Sequence, residues 1–225
     1  MNAKRKSAFR IGALFIIAAV TSIIGLNLYN PILQDSNFII KSPSSGNQIF
    51  WGAFMEIILV FSVIGTSVTF YPVLKKHNES LAIAAVCFRV LEAVIITLGI
   101  ISLLAIISLN NEYISEGESQ SSTYLIIGKL MVSIHNWTFL FGPNIALGPS
   151  TFMTSYILYK NNLVPKFIAI LGLIGGPMIC LSGIFVMFGL FSQLSIWGLI
   201  TAIPVFFYEM SLAIRLIVKG FKTQD

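Results

Sequence analysis

The sequence predicts an all-α polytopic membrane protein with six transmembrane helices and both termini in the cytoplasm. Three observations lead there. Of 225 residues, 56% are hydrophobic and only 10% charged, where a soluble domain carries about 25% charged residues; mean hydropathy is +0.87. The apolar residues also fall in blocks of spanning length, since about 20 residues at ~1.5 Å each cross a hydrocarbon core of about 30 Å. Six blocks qualify, at residues 11–30, 50–72, 81–109, 137–159, 167–190 and 194–217. The pieces between them are too short for a separate soluble domain, so residues 1–225 read as one membrane-embedded unit.

The third observation is the sign of the loops. Lys4, Arg5, Lys6 and Arg10 precede the first span, and Lys75 and Lys76 separate spans two and three. Lys160 and Lys166 flank the turn after span four; Arg215, Lys219 and Lys222 end span six. The alternate connections hold Lys41 and Lys129 beside Asp35, Glu112, Glu116 and Glu118. Eleven basic residues against two is a positive-inside bias, and an even span count independently puts both termini on one side. The same distribution excludes the nucleic-acid partner that 14 Lys and Arg against 9 Asp and Glu would suggest. The expected partner is the lipid bilayer. The first apolar run is longer than the about 7–15 residues of a signal peptide and lacks an A-x-A-like site, so it reads as an uncleaved span.

Along the chain, Asn30-Pro31 closes span one and Lys41-Ser42-Pro43-Ser44-Ser45-Gly46-Asn47 forms a turn-rich outer loop. Trp51 sits where an interfacial aromatic anchor belongs. Pro72 and Lys75-Lys76-His77-Asn78 end span two in a tight turn. The longest outer connection runs from Asn110 to about Thr123. After it, Leu125, Ile126, Leu130, Met131 and Ile134 with a single Lys129 suit an amphipathic helix over residues 124–134, lying on the outer surface before the chain turns in at His135-Asn136-Trp137. One continuous long helix is the alternative.

Spans four, five and six carry prolines in their apolar cores: Pro143 and Pro149, Pro177, and Pro204. Each removes a backbone hydrogen bond and bends its helix. A broken helix lining a site is one reading, because freed carbonyls at bilayer depth lie in protein or against water; routine bending is the other. Gly172 and Gly176 make a G-x-x-x-G close-approach motif, serving internal packing or a dimer. Cys87 and Cys180 fall within spans without C-x-x-C spacing, so neither a disulfide framework nor a thiolate metal site is indicated.

Five ionisable side chains lie inside the apolar stretches: Glu56, Arg89, Glu92, His135 and Glu209. A charge at bilayer depth costs several kcal/mol unless paired or hydrated. Counting from the basic boundary, Arg89 is about 12 Å deep, Glu92 about 16 Å and Glu209 about 9 Å, which places these three in a candidate inner cluster. Glu56 and His135 belong to the outer side. Glu92 shares a helix face with Arg89 and competes with Glu209 for its guanidinium. One arginine cannot neutralise three carboxylates. At least one Glu is therefore protonated, hydrated or holding a cation, as a proton or cation pathway requires; the alternative is charges that only fix packing. His135 either caps a helix or accepts protons from an outward cavity. A haem or metal role for it lacks a second ligand, because His77 falls in a turn on the opposite side. No catalytic, cofactor-binding or metal-ligating set stands out, and G-x-x-x-x-G-K-[ST], H-E-x-x-H and G-x-S-x-G are absent.

Phe88-Arg89-Val90-Leu91-Glu92-Ala93, His135-Asn136-Trp137-Thr138-Phe139 with Gly142-Pro143, and Leu163-Val164-Pro165 leading to Leu171-Gly172-Leu173-Ile174-Gly175-Gly176-Pro177 resemble an uncharacterised bacterial membrane family, the one called domain of unknown function 4386. The likeness extends to Glu56, Tyr71-Pro72-Val73-Leu74 and the closing Ile214-Arg215-Leu216-Ile217-Val218-Lys219-Gly220-Phe221. It implies a six-span protein and supplies no activity. An Asp commonly follows the family's His; here Asn136 stands in its place, which argues against a His–carboxylate relay at that mouth.

Three functions fit these residues. The leading one is a small transporter or channel-like protein whose cluster handles a proton, cation or small solute. The others are a membrane-embedded accessory or binding subunit with structural charge pairs, and an intramembrane enzyme acting on a lipid-soluble substrate. The sequence is silent on homo-oligomers.

Overall fold

A computed structural model describes residues 3–34, 46–116 and 121–222. The helices are α1 (Ala3–Gln34), α2 (Gly46–Leu74), α3 (Glu79–Glu116), α4 (Ser121–Leu140), a π-helical segment (Phe141–Ala146), α5 (Leu147–Lys160), α6 (Lys166–Met187) and α7 (Ile196–Val218). Because α4, the π segment and α5 follow without a break, six helices are long and apolar enough to cross a membrane. Their outer surface is apolar too: Phe61 is 70% exposed and Ile214 59%. Lipid tolerates such a surface and water does not. The chain is a multi-pass membrane protein.

Sequence neighbours pack as neighbours: α1 on α2, α2 on α3, α3 on α4, α5 on α6 and α6 on α7. α7 returns to α1 and closes the ring, and α3 also packs on α5. Two glycines make the α5–α6 contact backbone to backbone. A Cβ on Gly176 would lie 2.6 Å from the Gly148 carbonyl, and one on Gly148 2.7 Å from the Gly176 carbonyl. Gly172 likewise leaves room for Ser155 and Tyr208. The G-x-x-x-G motif therefore serves packing inside this chain.

Both ends of the described chain meet at the basic end of the bundle. Arg5 donates to the carbonyls of Leu216 (2.9 Å), Ile217 (2.5 Å) and Val218 (2.8 Å), satisfying the last turn of α7. Asn78 caps α3 by accepting from the Leu81 N–H at 3.0 Å. Asn162, at φ 49°, ends α5 in a Schellman turn, with Leu163 N–H bonded to Leu158 O at 3.1 Å. An apolar core including Ile11, Phe15, Phe70, Leu158, Ile168 and Leu212 fills this end.

At the far end the helices outrun the sequence expectation. α3 continues to Glu116, through residues read as loop, and α4 is already helical at Ser121. Residues 124–134 form no separate surface helix; they are part of one helix running from Ser121 to Leu140. The reason is tertiary. Tyr124 turns onto α3 and meets Tyr113 edge-on, ring centroids 5.6 Å apart, in a core with Tyr29, Ile49, Leu103 and Ile106. Pairing with α3 buries one side of α4 while Ile126 and Leu130 stay exposed. Asp35, Lys41, Glu118, loop residues 41–45 and Thr223–Asp225 lie outside the described residues, and Gly46 and Asn47 already belong to α2.

Candidate functional site

Arg89 is the hub of the inner cluster. It stands one turn before Glu92 on α3, so the two share a face, and α7 brings Glu209 across the interface. The guanidinium is bonded at both arms: Nη1 donates to Glu92 Oε2 at 3.0 Å and Nη2 to Glu209 Oε1 at 2.7 Å. Its side chain is 10% exposed, that of Glu92 6% and that of Glu209 20%. The Phe15 ring lies 5.8 Å from Arg89 Cζ, a cation–π contact on a further side. At ordinary charges the trio carries one positive and two negative groups, so one negative charge is left over.

Beside Arg89 lies a cavity of about 20 Å³, room for about one water. Ser67, Ser150, Thr151, Thr154 and Tyr208 contribute hydroxyls to its wall. Ser150 Oγ donates to the Ala85 carbonyl at 2.9 Å, whereas the buried Thr151 Oγ1 and Tyr208 hydroxyl make no close, well-aligned hydrogen bond among the described residues, the latter lying beside Ser155. Buried hydroxyls without such bonds are uncommon, and here they border a water-sized space.

A second polar site occupies the far half of the same helices. Glu56 on α2 and His135 on α4 border another cavity of about 20 Å³, together with Gly99, Thr138 and Pro143. The Tyr29 hydroxyl on α1 sits beside the Glu56 carboxyl and His135 beside the Gly99 backbone, yet among the described residues neither that hydroxyl nor Glu56 Oε2 nor His135 Nδ1 makes a close, well-aligned hydrogen bond. The His135 ring meets Tyr29 edge-on at 5.4 Å and stacks on Phe139 at 6.4 Å. Arg89 and Gly99, which line the two cavities, are about 15 Å apart along α3.

The π segment packs on α3 between the two sites. Pro143 has no N–H, which frees the Phe139 carbonyl four residues earlier. Gln193, in the loop before α7, takes that carbonyl with Nε2 at 3.0 Å and also reaches Asn144 Oδ1 at 3.2 Å. Leu147 N–H bonds to the Gly142 carbonyl, the wider π-type spacing. A Cβ on Gly142 would sit 3.6 Å from the Glu92 carbonyl, so the irregular turn abuts the Glu92 turn.

The structure brings Arg89 together with Glu92 and Glu209, and Glu56 together with His135. Sequence reasoning missed Tyr29, Tyr208 and Gln193, and with them the hydroxyl wall. A signal existed for the wall: Ser150, Thr151 and Thr154 fall at helical spacing in an otherwise apolar span. Among the described residues no three His, Cys, Asp or Glu side chains converge as a metal would need.

Comparison with protein families finds a match over residues 10–220 to the family described as domain of unknown function (DUF4386). No curated protein and no solved structure matches the chain.

Proposed function

The chain belongs to the DUF4386 family, and from the geometry of its two buried sites we infer that it moves protons across the bacterial cytoplasmic membrane. The reading rests on one observation: Arg89 is shared by the buried Glu92 carboxylate and the partly buried Glu209 carboxylate, leaving a surplus negative charge at bilayer depth. Such a charge costs several kcal/mol unless a proton or cation accompanies it. The bordering cavities hold about one water each, which favours a proton over any larger solute. Glu56, with Tyr29 and His135, is the far-side acceptor; Glu92 and Glu209 are the inner pair. The π segment between them is the element whose rearrangement would connect one site and disconnect the other. The basic end faces the cytoplasm, in keeping with the loop charges.

The test is proton flux into sealed proteoliposomes carrying a pH-sensitive dye, driven by a potassium-diffusion potential. Wild-type protein should carry flux above empty liposomes. Glu56→Gln, Glu92→Gln and Glu209→Gln should each lose most of it while keeping a monodisperse, normally melting protein. Ion pairs on both arms of the Arg89 guanidinium favour one rival, a charge lock within a membrane-embedded accessory subunit. On that reading the wild type carries no flux under either polarity, and Glu92→Gln and Glu209→Gln lower the melting temperature alone.

A further inference from the structure

A large cavity lies away from both polar sites, at the basic end. It encloses about 710 Å³ and is lined by Lys4, Arg5, Lys76, His77, Lys219 and Lys222, with apolar Leu163 and Phe221 below them. Among the described residues, neither Asp nor Glu lines it. The four lysines have no ion pair among the described residues.

The cavity is built by specific contacts. Arg5 clamps the last carbonyls of α7. Gly220, at φ 73°, then reverses the chain. Lys222 N–H bonds to the Leu163 carbonyl at 2.8 Å, and Phe221 packs on Phe70 with ring centroids 5.8 Å apart. These contacts hold Lys219 and Lys222 opposite Lys76 of the α2–α3 turn and Lys4 of α1. Four lysine ammonium charges around one hollow repel one another, and an anion bound among them removes that repulsion.

We propose that this cavity is a binding site for a phosphate-bearing anion. Lysine ammonium groups are compact charges with three rotatable donors, suited to phosphate oxygens, and the Leu163–Phe221 floor accommodates apolar atoms attached to such a group. The phosphate belongs either to an anionic lipid headgroup of the adjoining leaflet or to a free phosphate. The positive-inside bias alone explains basic residues at this end. It does not explain why these are gathered around one cavity while Lys160 and Lys166, at the same end, lie over the rings of Tyr156 and Tyr159 outside it.

That contrast supplies the experiment. Detergent-purified full-length protein is mixed with equal phosphatidylcholine and phosphatidylglycerol, and retained lipid is read by native mass spectrometry; separately, melting temperature is followed against inorganic phosphate. Wild-type protein should retain phosphatidylglycerol preferentially, be stabilised by phosphate, or both. Retention alone assigns a headgroup, and stabilisation alone assigns a free anion. Each cavity lysine replaced by Gln should weaken binding on the order of fivefold, and the triple variant Lys76→Gln, Lys219→Gln, Lys222→Gln on the order of a hundredfold. Lys160→Gln with Lys166→Gln should leave binding unchanged. Should the triple variant not fold, Lys4→Gln with Lys76→Gln makes the same comparison without touching the carboxyl-terminal segment. No preference and no shift for wild-type protein overturns the proposal. So does a loss in the Lys160–Lys166 variant as large as that in the cavity variants. Either outcome is independent of whether the protein carries protons.

Discussion

Arg89 illustrates how much of a buried charge is decided by its partners. Removing it strands Glu92 and Glu209 within the bundle, so Arg89→Gln is expected to cost about 3–5 kcal/mol, the usual penalty for breaking a buried pair from one side. The measurement is the melting temperature of detergent-solubilised protein. Arg89→Met combined with Glu92→Leu and Glu209→Leu should recover much of that loss, since apolar residues of similar volume replace a buried ion cluster at little cost. A triple variant less stable than Arg89→Gln alone would contradict a charge origin for the loss. Depth counting along the spans brought these three residues together, because rise per residue is constant in any helix. It could not choose between Glu92 and Glu209 as partner. That choice depends on rotation about each helix axis and on rotamer, and the answer is both, one carboxylate on each arm of the guanidinium.

Among the elements, the π segment has the most specific sequence cause. Pro143 predicts a freed carbonyl at Phe139, and the structure satisfies it from elsewhere, through Gln193 Nε2. Gln193→Ala should therefore leave that carbonyl unpaired and cost about 1–3 kcal/mol. Pro143→Ala restores an N–H within reach of Phe139, so the double variant should lose less than the sum of the singles. A double-mutant cycle on melting temperatures measures this coupling, and additive losses would break the proposed link. The proline was legible in sequence. Its partner was not, because Gln193 stands in a loop after another whole span, and nothing local to either residue announces the contact. The extension of α4 back to Ser121 was missed for a related reason: an amphipathic pattern shows that one face is to be buried, without saying whether lipid headgroups or a neighbouring helix will bury it.

On the scale of the whole molecule, the charge distribution makes a prediction that geometry alone does not. Both described chain ends and the turns at Lys75–Asn78 and Asn161–Pro165 lie at one end of the bundle. In single-cysteine variants lacking Cys87 and Cys180, Lys76→Cys and Lys160→Cys should react with a membrane-impermeant maleimide only from the cytoplasmic side. Glu112→Cys should react only from the other. Labelling of Lys76→Cys from outside intact cells would reverse the orientation and with it the assignment of inner and outer sites.

The number of crossing helices, their approximate limits and the gathering of basic residues at one end were determined by sequence alone. These depend on the free energy of moving local stretches of chain into hydrocarbon, which composition sets segment by segment. Only the tertiary structure decided that Arg89 pairs with both Glu92 and Glu209, that Glu56 shares a cavity with His135 beside Tyr29, and that Lys4, Lys76, Lys219 and Lys222 surround a common hollow. Those outcomes depend on how the helices turn toward one another. In spans apolar on nearly every face, lipid-facing and core-facing residues are chemically alike, so the rotation of each helix emerges only from packing.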